Sequence, residues 1–187
     1  MKKIGLTGNI ASGKSEVERI LKGLGYPVIC ADEIVRGLYE DNEVKNVVLN
    51  RFGTIDKGEL AKLIFTYADA RKELEGVLHP KVIKKIVEFF EQYKGENLAF
   101  ASVPLIYEAG LEGFFDAVVL VTVDDETRKK RLMARDNITP ELAEAKMNSQ
   151  MSQEEKVKHA DFVIENNDTL KALEEQVSKL SGFLNNL

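Results

Sequence analysis

A chain of 187 residues, 44% hydrophobic and 30% charged, has the length and composition of one α/β domain; it is short for two domains and too apolar for a disordered chain. Its net charge of −5 argues against nucleic acid as the main partner, since a polyanion demands a basic face, and no apolar stretch is long enough to span a membrane. The single cysteine, Cys30, excludes an internal disulfide, and Met1-Lys2-Lys3 leads straight into an apolar run rather than a signal-peptide core, so the expected compartment is the cytoplasm.

The first element is a buried strand, Lys3-Ile4-Gly5-Leu6-Thr7, and from Glu16 onward Val17, Ile20, Leu21 and Leu24 recur at helical spacing. Between them Gly8-Asn9-Ile10-Ala11-Ser12-Gly13-Lys14-Ser15 has the form G-x-x-x-x-G-K-S, a phosphate-binding loop opening a helix N-terminus. Glycines there let backbone N–H groups cradle phosphate oxygens, and the helix dipole favours negative charge. Gly8, Ala11, Ser12, Gly13, Lys14, Ser15 and Glu16 are therefore the candidate nucleotide-binding residues. Lys14 is placed to reach the β- and γ-phosphates, and the Ser15 hydroxyl to ligate Mg²⁺. The octet alone does not separate a kinase from a GTPase or a mechanical ATPase.

A second strand, Pro27–Cys30, is followed by Asp32 and Glu33 at the start of a helical stretch. In a doubly wound sheet Asp32 then sits at the carboxyl edge, where it is either a general base or a helix N-cap. Some 65 residues with little strand character follow, far more than an ordinary crossover. Helical stripes at Leu60, Leu63 and Ile64, at Leu74, Val77 and Leu78, and at Val82, Ile83, Ile86, Val87 and Phe90 predict a helical insertion broken at Gly53, Gly58 and Pro80. Such an insertion is either a seat for a second substrate or a structural cover. His79 within it reads as an imidazole packed at a helix junction, and no metal-ligand spacing surrounds it, so zinc is not implied.

The third strand, Leu98–Val103, leads into Pro104-Leu105-Ile106-Tyr107-Glu108, from which Glu108 either reaches the cleft, caps a helix or pairs with a lysine. Ala117–Val123, nearly continuous in apolar residues, is the expected central strand. From Asp125 to about His159 the pattern is helical, interrupted near Asn137 to Pro140, with Thr139 as N-cap and Pro140 at the first helical position. Two polar helices joined there suit a lid that closes over phosphoryl groups. Arg128, Arg131 and Arg135 share one helix face, either as a phosphate clamp or as a solvated stripe. A fifth strand, Phe162–Glu165, precedes a last helix starting at Asp168-Thr169 with Leu170, Leu173, Val177, Leu180 and Leu184 on one stripe. Strands alternating with helices predict an α/β, three-layer P-loop NTPase fold with a five-stranded parallel sheet. The whole chain 1–187 forms one domain in this reading: a core of 1–50, 97–124 and 160–187, a helical insertion at about 51–96 that is the candidate acceptor-binding region, and a candidate helical lid at about 125–159.

Several segments are more specific than the loop: Gly5-Leu6-Thr7-Gly8, Ala31-Asp32-Glu33-Ile34, Phe52-Gly53, Leu74-Glu75 with His79-Pro80, and Val103-Pro104-Leu105-Ile106-Tyr107-Glu108. Arg131, Arg135, Gln150 and Ala160-Asp161-Phe162-Val163-Ile164 with Asn166 complete the set. Through them the chain resembles the dephospho-CoA kinase family from the first strand to about Val177. The resemblance implies transfer of the ATP γ-phosphate to the ribose 3′-hydroxyl of dephospho-CoA, with Mg²⁺ as cofactor and no nucleic acid or membrane partner; it leaves the oligomeric state open. It also implies Asp32 as the base, Arg135 near the phosphates, Asn166 on the adenine side of ATP, and Lys57, His79 and Glu108 on the acceptor side. Two positions depart from the family pattern. Cys30 stands where a first Asp precedes the base, and Lys57 stands for an arginine, keeping the charge but losing the planar fork. Other readings are a P-loop kinase for another small alcohol and a GTPase-type switch, for which the Asp-x-x-Gly and Asn-Lys-x-Asp segments are lacking.

Overall fold

The computed structural model describes residues 1–185, with the side chains of residues 57, 61, 65, 181 and 185 left aside. The chain divides into two compact units, residues 1–29 with 93–187, and residues 30–92.

The strands are β1 (Lys2–Gly8), β2 (Val28–Cys30), β3 (Leu98–Ser102), β4 (Ala117–Thr122) and β5 (Phe162–Glu165). They form one sheet in the order β2-β3-β1-β4-β5, with β1 parallel to both β3 and β4, and β4 parallel to β5. The chain crosses to opposite sides of β1, so the carboxyl end of β1 is the topological switch point, where this kind of sheet binds ligands. Alternation along the strands decides the two faces. Ile4, Leu6, Leu98, Phe100, Val119, Val121 and Ile164 line one face. They pack on Val17, Ile20 and Leu21 of helix α1 (Lys14–Gly23) and on Leu173, Val177, Leu180 and Leu184 of helix α9 (Leu170–Asn185). On the other face of β1, a Cβ added to Gly5 would stand 2.8 Å from Ile106 Cδ1 and 2.9 Å from a Phe115 ring carbon. Glycine at position 5 thus lets the segment after β3 pack directly on the central strand.

Four expected members of helical stripes fall outside the core, Ile83 and Val87 because they lie on the solvent side of a helix whose buried stripe is Val82, Ile86 and Phe90. Leu24 is 52% exposed because α1 ends at Gly23 and Leu24 is its C-cap residue, and Leu170 is exposed in the first turn of α9. The polar stretch after β4 folds into α6 (Asp125–Asp136), α7 (Pro140–Asn148) and α8 (Gln153–Val157). Each starts at a side-chain cap, Asp124, Thr139 and Ser152 respectively. Asn137 at φ 51° ends α6, and Pro140 opens α7 behind the Thr139 cap, as the spacing predicts.

The second unit holds α2 (Ala31–Leu38), α3 (Asn42–Phe52), α4 (Lys57–Thr66) and α5 (Ala68–Gln92), with α2, α3 and α4 all packing on α5. Gly53 at φ 72° ends α3, and Asp56 caps α4 through the N–H groups of Gly58 and Glu59. Gly53 thus breaks the helices as expected, but Pro80 does not. It lies inside the 25-residue α5. A proline there costs about 3 kcal/mol. The buried stripe Leu74, Leu78, Val82, Ile86 and Phe90 runs through it and holds the helix on both sides.

Candidate active site

β1 stops at Gly8 and α1 starts at Lys14, leaving a five-residue loop. Ala11 at φ 62° and Gly13 at φ 95° are left-handed, the alternation that turns successive N–H groups into an anion-binding concavity. Ser12 N–H donates to the Asn9 carbonyl at 3.0 Å and tightens the turn. The Ser12 hydroxyl is buried with no hydrogen-bond partner among the described residues, a donor already desolvated within the loop. Gly8 is required by space, since a Cβ would meet the Val121 carbonyl at 2.8 Å and Ser12 Oγ at 2.5 Å.

The loop is held by side chains from distant segments of the same unit. Asn166, just past β5, donates from Nδ2 to the Ser12 carbonyl at 2.9 Å. Asn9 Nδ2 donates to the Met151 carbonyl at 2.8 Å, and Ile10 N–H to Gln150 Oε1 at 2.8 Å. Ile10 and Ala11 also pack on the cluster of Leu132, Ala143 and Met147 from α6 and α7. The helical lid is therefore seated on the loop through apolar contacts and through the turn at Gln150-Met151. Gly13 leaves no room for a side chain: a Cβ would run into Asn166 Nδ2. Gly13→Ala is accordingly expected to lower the melting temperature, by the equivalent of about 1–3 kcal/mol for the strained φ alone, and to abolish ADP binding measured by calorimetry.

Among the expected arginines, Arg131 is the one that meets the loop. Its Nη2 donates to the Asn166 carbonyl at 3.2 Å, and its Nη1 lies 3.8 Å from where a Gly13 Cβ would be. Arg128 is buried and paired with Asp125 at 3.1 Å. Arg135, expected near the phosphates, has a 57% exposed side chain that pairs with Asp136 at 2.8 Å. Arg135, then Lys146 across from α7, holds the Asp136 carboxyl down at about 2. The shared face thus divides into one buried guanidinium paired with an exposed aspartate, one loop contact and one pair at the surface, because a helix face of two turns spans more than one environment.

Glu108, which the sequence left between three roles, pairs with a lysine. Its Oε1 lies 2.8 Å from the fully buried Lys156 Nζ and accepts the Met151 N–H at 3.1 Å, which ties the segment after β3 to α8 and to the Gln150-Met151 turn. Beside it, burial pushes the Tyr107 hydroxyl up to about 12, with Asp161 and Glu112 adding to the shift. The phenol is neutral in both folded and unfolded chains below about pH 10. Above that the unfolded chain ionises first, so stability falls as pH rises through the folded value. A difference titration of wild type against Tyr107→Phe, followed by phenolate absorbance, is expected to show this late-ionising group.

Lys14 does not extend over the loop. It folds back along α1, with Nζ 2.9 Å from Glu18 Oε1 and 2.5 Å from Ser102 Oγ. Glu16 pairs with Arg19 at the surface, and that contact holds its carboxyl below the ordinary value. The Ser15 hydroxyl is exposed in the first turn of α1. Among the described residues no group of three or more His, Cys, Asp and Glu forms a metal cage. The Ser15 hydroxyl is an oxygen donor of the kind Mg²⁺ accepts, since Mg²⁺ is commonly held by one or two protein oxygens together with substrate phosphates and waters.

In the helical unit, Asp32 is exposed in the first turn of α2, immediately after β2. The N-cap position belongs to Cys30, so the capping role open to Asp32 in the sequence is not the one it takes. His79 is exposed in mid-α5, beside Pro80 and at no helix junction. Lys57 opens α4, and its side chain lies outside the described residues. Glu18, Ser102 and Lys156 escaped the sequence reading. Glu18 had a signal, standing four residues after Lys14 on the same helix face; Ser102 and Lys156 acquire partners only from across the fold.

A parallel sheet with a glycine-bearing phosphate loop at its switch point, a loop lysine, and an arginine-bearing helical lid defines a P-loop kinase. A shikimate kinase from Bacteroides thetaiotaomicron shares this fold, with a TM-score of 0.54 at 17% identity over 98% of each chain. The family model described as dephospho-CoA kinase matches residues 2–172, and the chain belongs to the dephospho-CoA kinase family. It is similar to the dephospho-CoA kinase of Listeria monocytogenes, at 38% identity with 94% of each chain covered. It is also similar to the solved structure of dephospho-CoA kinase from Campylobacter jejuni, with a TM-score of 0.71 and 31% identity over 99% of this chain and 98% of that one.

Proposed function

We propose that this chain transfers the γ-phosphate of ATP to the ribose 3′-hydroxyl of dephospho-CoA, giving coenzyme A and ADP, and that it does so in the cytoplasm. The family membership carries the reaction, and the loop geometry supports the donor half: two left-handed residues, a buried Ser12 hydroxyl with no hydrogen-bond partner among the described residues, and a helix N-terminus all belong to one loop. No helix among the described residues is long and apolar enough to cross a membrane.

In this reading the N–H groups of residues 11–15 and the Ser12 hydroxyl bind the β- and γ-phosphates, with Gly8, Gly13 and Glu16 shaping the loop around them. Lys14 and Arg131 neutralise charge that spreads over the γ-phosphoryl oxygens in the transition state; Arg135 stands one turn further along the lid helix. Asn166 orients the loop from the nucleotide side. Ser15 would hold Mg²⁺, which when bound offsets phosphate charge and orients the phosphates for in-line transfer. Asp32 accepts the hydroxyl proton of the acceptor. Lys57, His79 and Glu108 belong to the acceptor side, Glu108 indirectly through Lys156 and Met151. The lid seated on Ile10 and Ala11 excludes water, so that the phosphoryl group passes to the alcohol rather than to solvent.

The test is ATP consumption with a panel of acceptors, in the presence of Mg²⁺. ADP release is expected with dephospho-CoA and not with nucleosides, shikimate or sugars. Equal turnover on another small alcohol would overturn the acceptor.

A further inference from the structure

Beneath the phosphate loop, three polar side chains meet away from water. Lys14 is 9% exposed, Glu18 6% and Ser102 0%. Lys14 Nζ donates to Glu18 Oε1 at 2.9 Å and to Ser102 Oγ at 2.5 Å, and the Ser102 hydroxyl donates to the same Glu18 Oε1 at 2.5 Å. Each member of the triangle contacts the other two. The pair is not explained as helix support. On a helix, a glutamate four residues before a lysine is the favourable order, and here the lysine comes first. Lys14 also stands at the first position of α1, where the dipole disfavours a cation. A buried carboxylate is costly unless it is paired and hydrogen-bonded, so a fold that needed only packing at position 18 is better served by an apolar residue.

What the triangle does is fix an ammonium. Lys14 has four rotatable bonds and, on a free stem, would sample many positions around the loop. Glu18 comes from one turn further along α1 and Ser102 from the last residue of β3, the strand beside β1, so the two anchors belong to different elements and fix the ammonium relative to both. No carboxylate is carried by β3 or by Val103 and Pro104 after it, so the negative charge at that strand end is delivered by α1.

We propose that Glu18 and Ser102 are positioning residues for Lys14: they hold its ammonium at the end of β3 and keep it from collapsing onto the ground-state phosphates, so that its charge is directed to the transferring group. This rests on the reading of Lys14 as the phosphate-contacting lysine. Removing the Glu18 charge leaves the Lys14 cation less neutralised and free to move. Nucleotide then binds as tightly or more tightly, while transfer slows.

The test uses the full chain, with ADP affinity by calorimetry, kcat and KM for ATP with dephospho-CoA, and melting temperature, for wild type, Glu18→Gln, Ser102→Ala, Lys14→Ala and the exchange variant Glu18→Ser with Ser102→Asp. Glu18→Gln is expected to lower kcat by about ten- to a hundredfold, the scale of a misplaced catalytic group, with ADP affinity equal to or above wild type. The exchange variant, which moves the carboxylate from α1 to the end of β3, restores kcat to near the wild-type value. Unchanged kcat in Glu18→Gln overturns the proposal. So does an exchange variant that recovers the melting temperature but not kcat, which marks a structural ion pair only. If Glu18→Gln does not fold, Ser102→Ala carries the test through the same split between kcat and ADP affinity, and its wild-type kcat is the overturning result. Lys14→Ala separates the two levels: wild-type ADP affinity and kcat in that variant remove the reading of Lys14 itself, whereas loss of both with unchanged kcat in Glu18→Gln removes only the positioning role.

Discussion

Asp32→Asn is expected to lower kcat by about 10²–10⁴-fold, the usual contribution of general acid–base catalysis, while ADP affinity and melting temperature stay near wild type. Asparagine keeps the shape and hydrogen-bonding reach of the side chain but cannot take a proton from the acceptor hydroxyl. Asp32 is exposed, and the N-cap position of α2 belongs to Cys30. The structural cost is therefore confined to lost dipole interaction in the first helical turn, about 0.3–1 kcal/mol. Full turnover in Asp32→Asn with dephospho-CoA would remove Asp32 as the base. A fall in ADP affinity matching the fall in kcat would assign it to nucleotide binding instead.

Lys14→Ala is expected to reduce both nucleotide affinity and turnover, with about 10²–10³ lost in kcat as for other single charge-stabilising groups. It also destabilises the protein, because the ammonium facing the buried Glu18 carboxylate disappears; removing one partner of a buried pair costs up to about 3–5 kcal/mol, less here because Ser102 still donates to Glu18. The double variant Lys14→Ala with Glu18→Ala separates these effects. Melting temperature recovers in part because no buried carboxylate remains, and turnover does not recover because the phosphate-side charge is still missing. Restored turnover in the double variant would show that Lys14 serves the fold alone.

Much of the architecture was readable from local pattern. The five strand segments, the loop before α1, the Thr139-Pro140 start of α7 and the buried stripe of α9 all follow from period, cap and turn chemistry, which act over a few residues. Failures cluster where a distant contact overrode a local tendency. Pro80 should end a helix, yet apolar contacts on both sides carry α5 through it. The three arginines of α6 share a face by spacing and two of them take local partners, Asp125 one turn before Arg128 and Asp136 next to Arg135, but Arg131 takes its partner, the Asn166 carbonyl, from across the fold. Asn166 is similar. Its position after a strand was legible, and its bond to the Ser12 carbonyl was not.

The sequence by itself determined the phosphate ligand and the kinase family, because the G-x-x-x-x-G-K-S loop and the Pro-Leu-Ile-Tyr-Glu and His-Pro segments are contiguous and their chemistry is written in residue order. Only the tertiary structure decided how the loop is held and charged. Lys14 meets Ser102 across 88 positions, Asn9 meets Met151 across 142 and Asn166 meets Ser12 across 154. These are polar bonds made where the carboxyl ends of parallel strands converge, and parallel strands are joined by long crossovers. Neighbours in the site are therefore remote in sequence, and neither periodicity nor motif spacing encodes their partners.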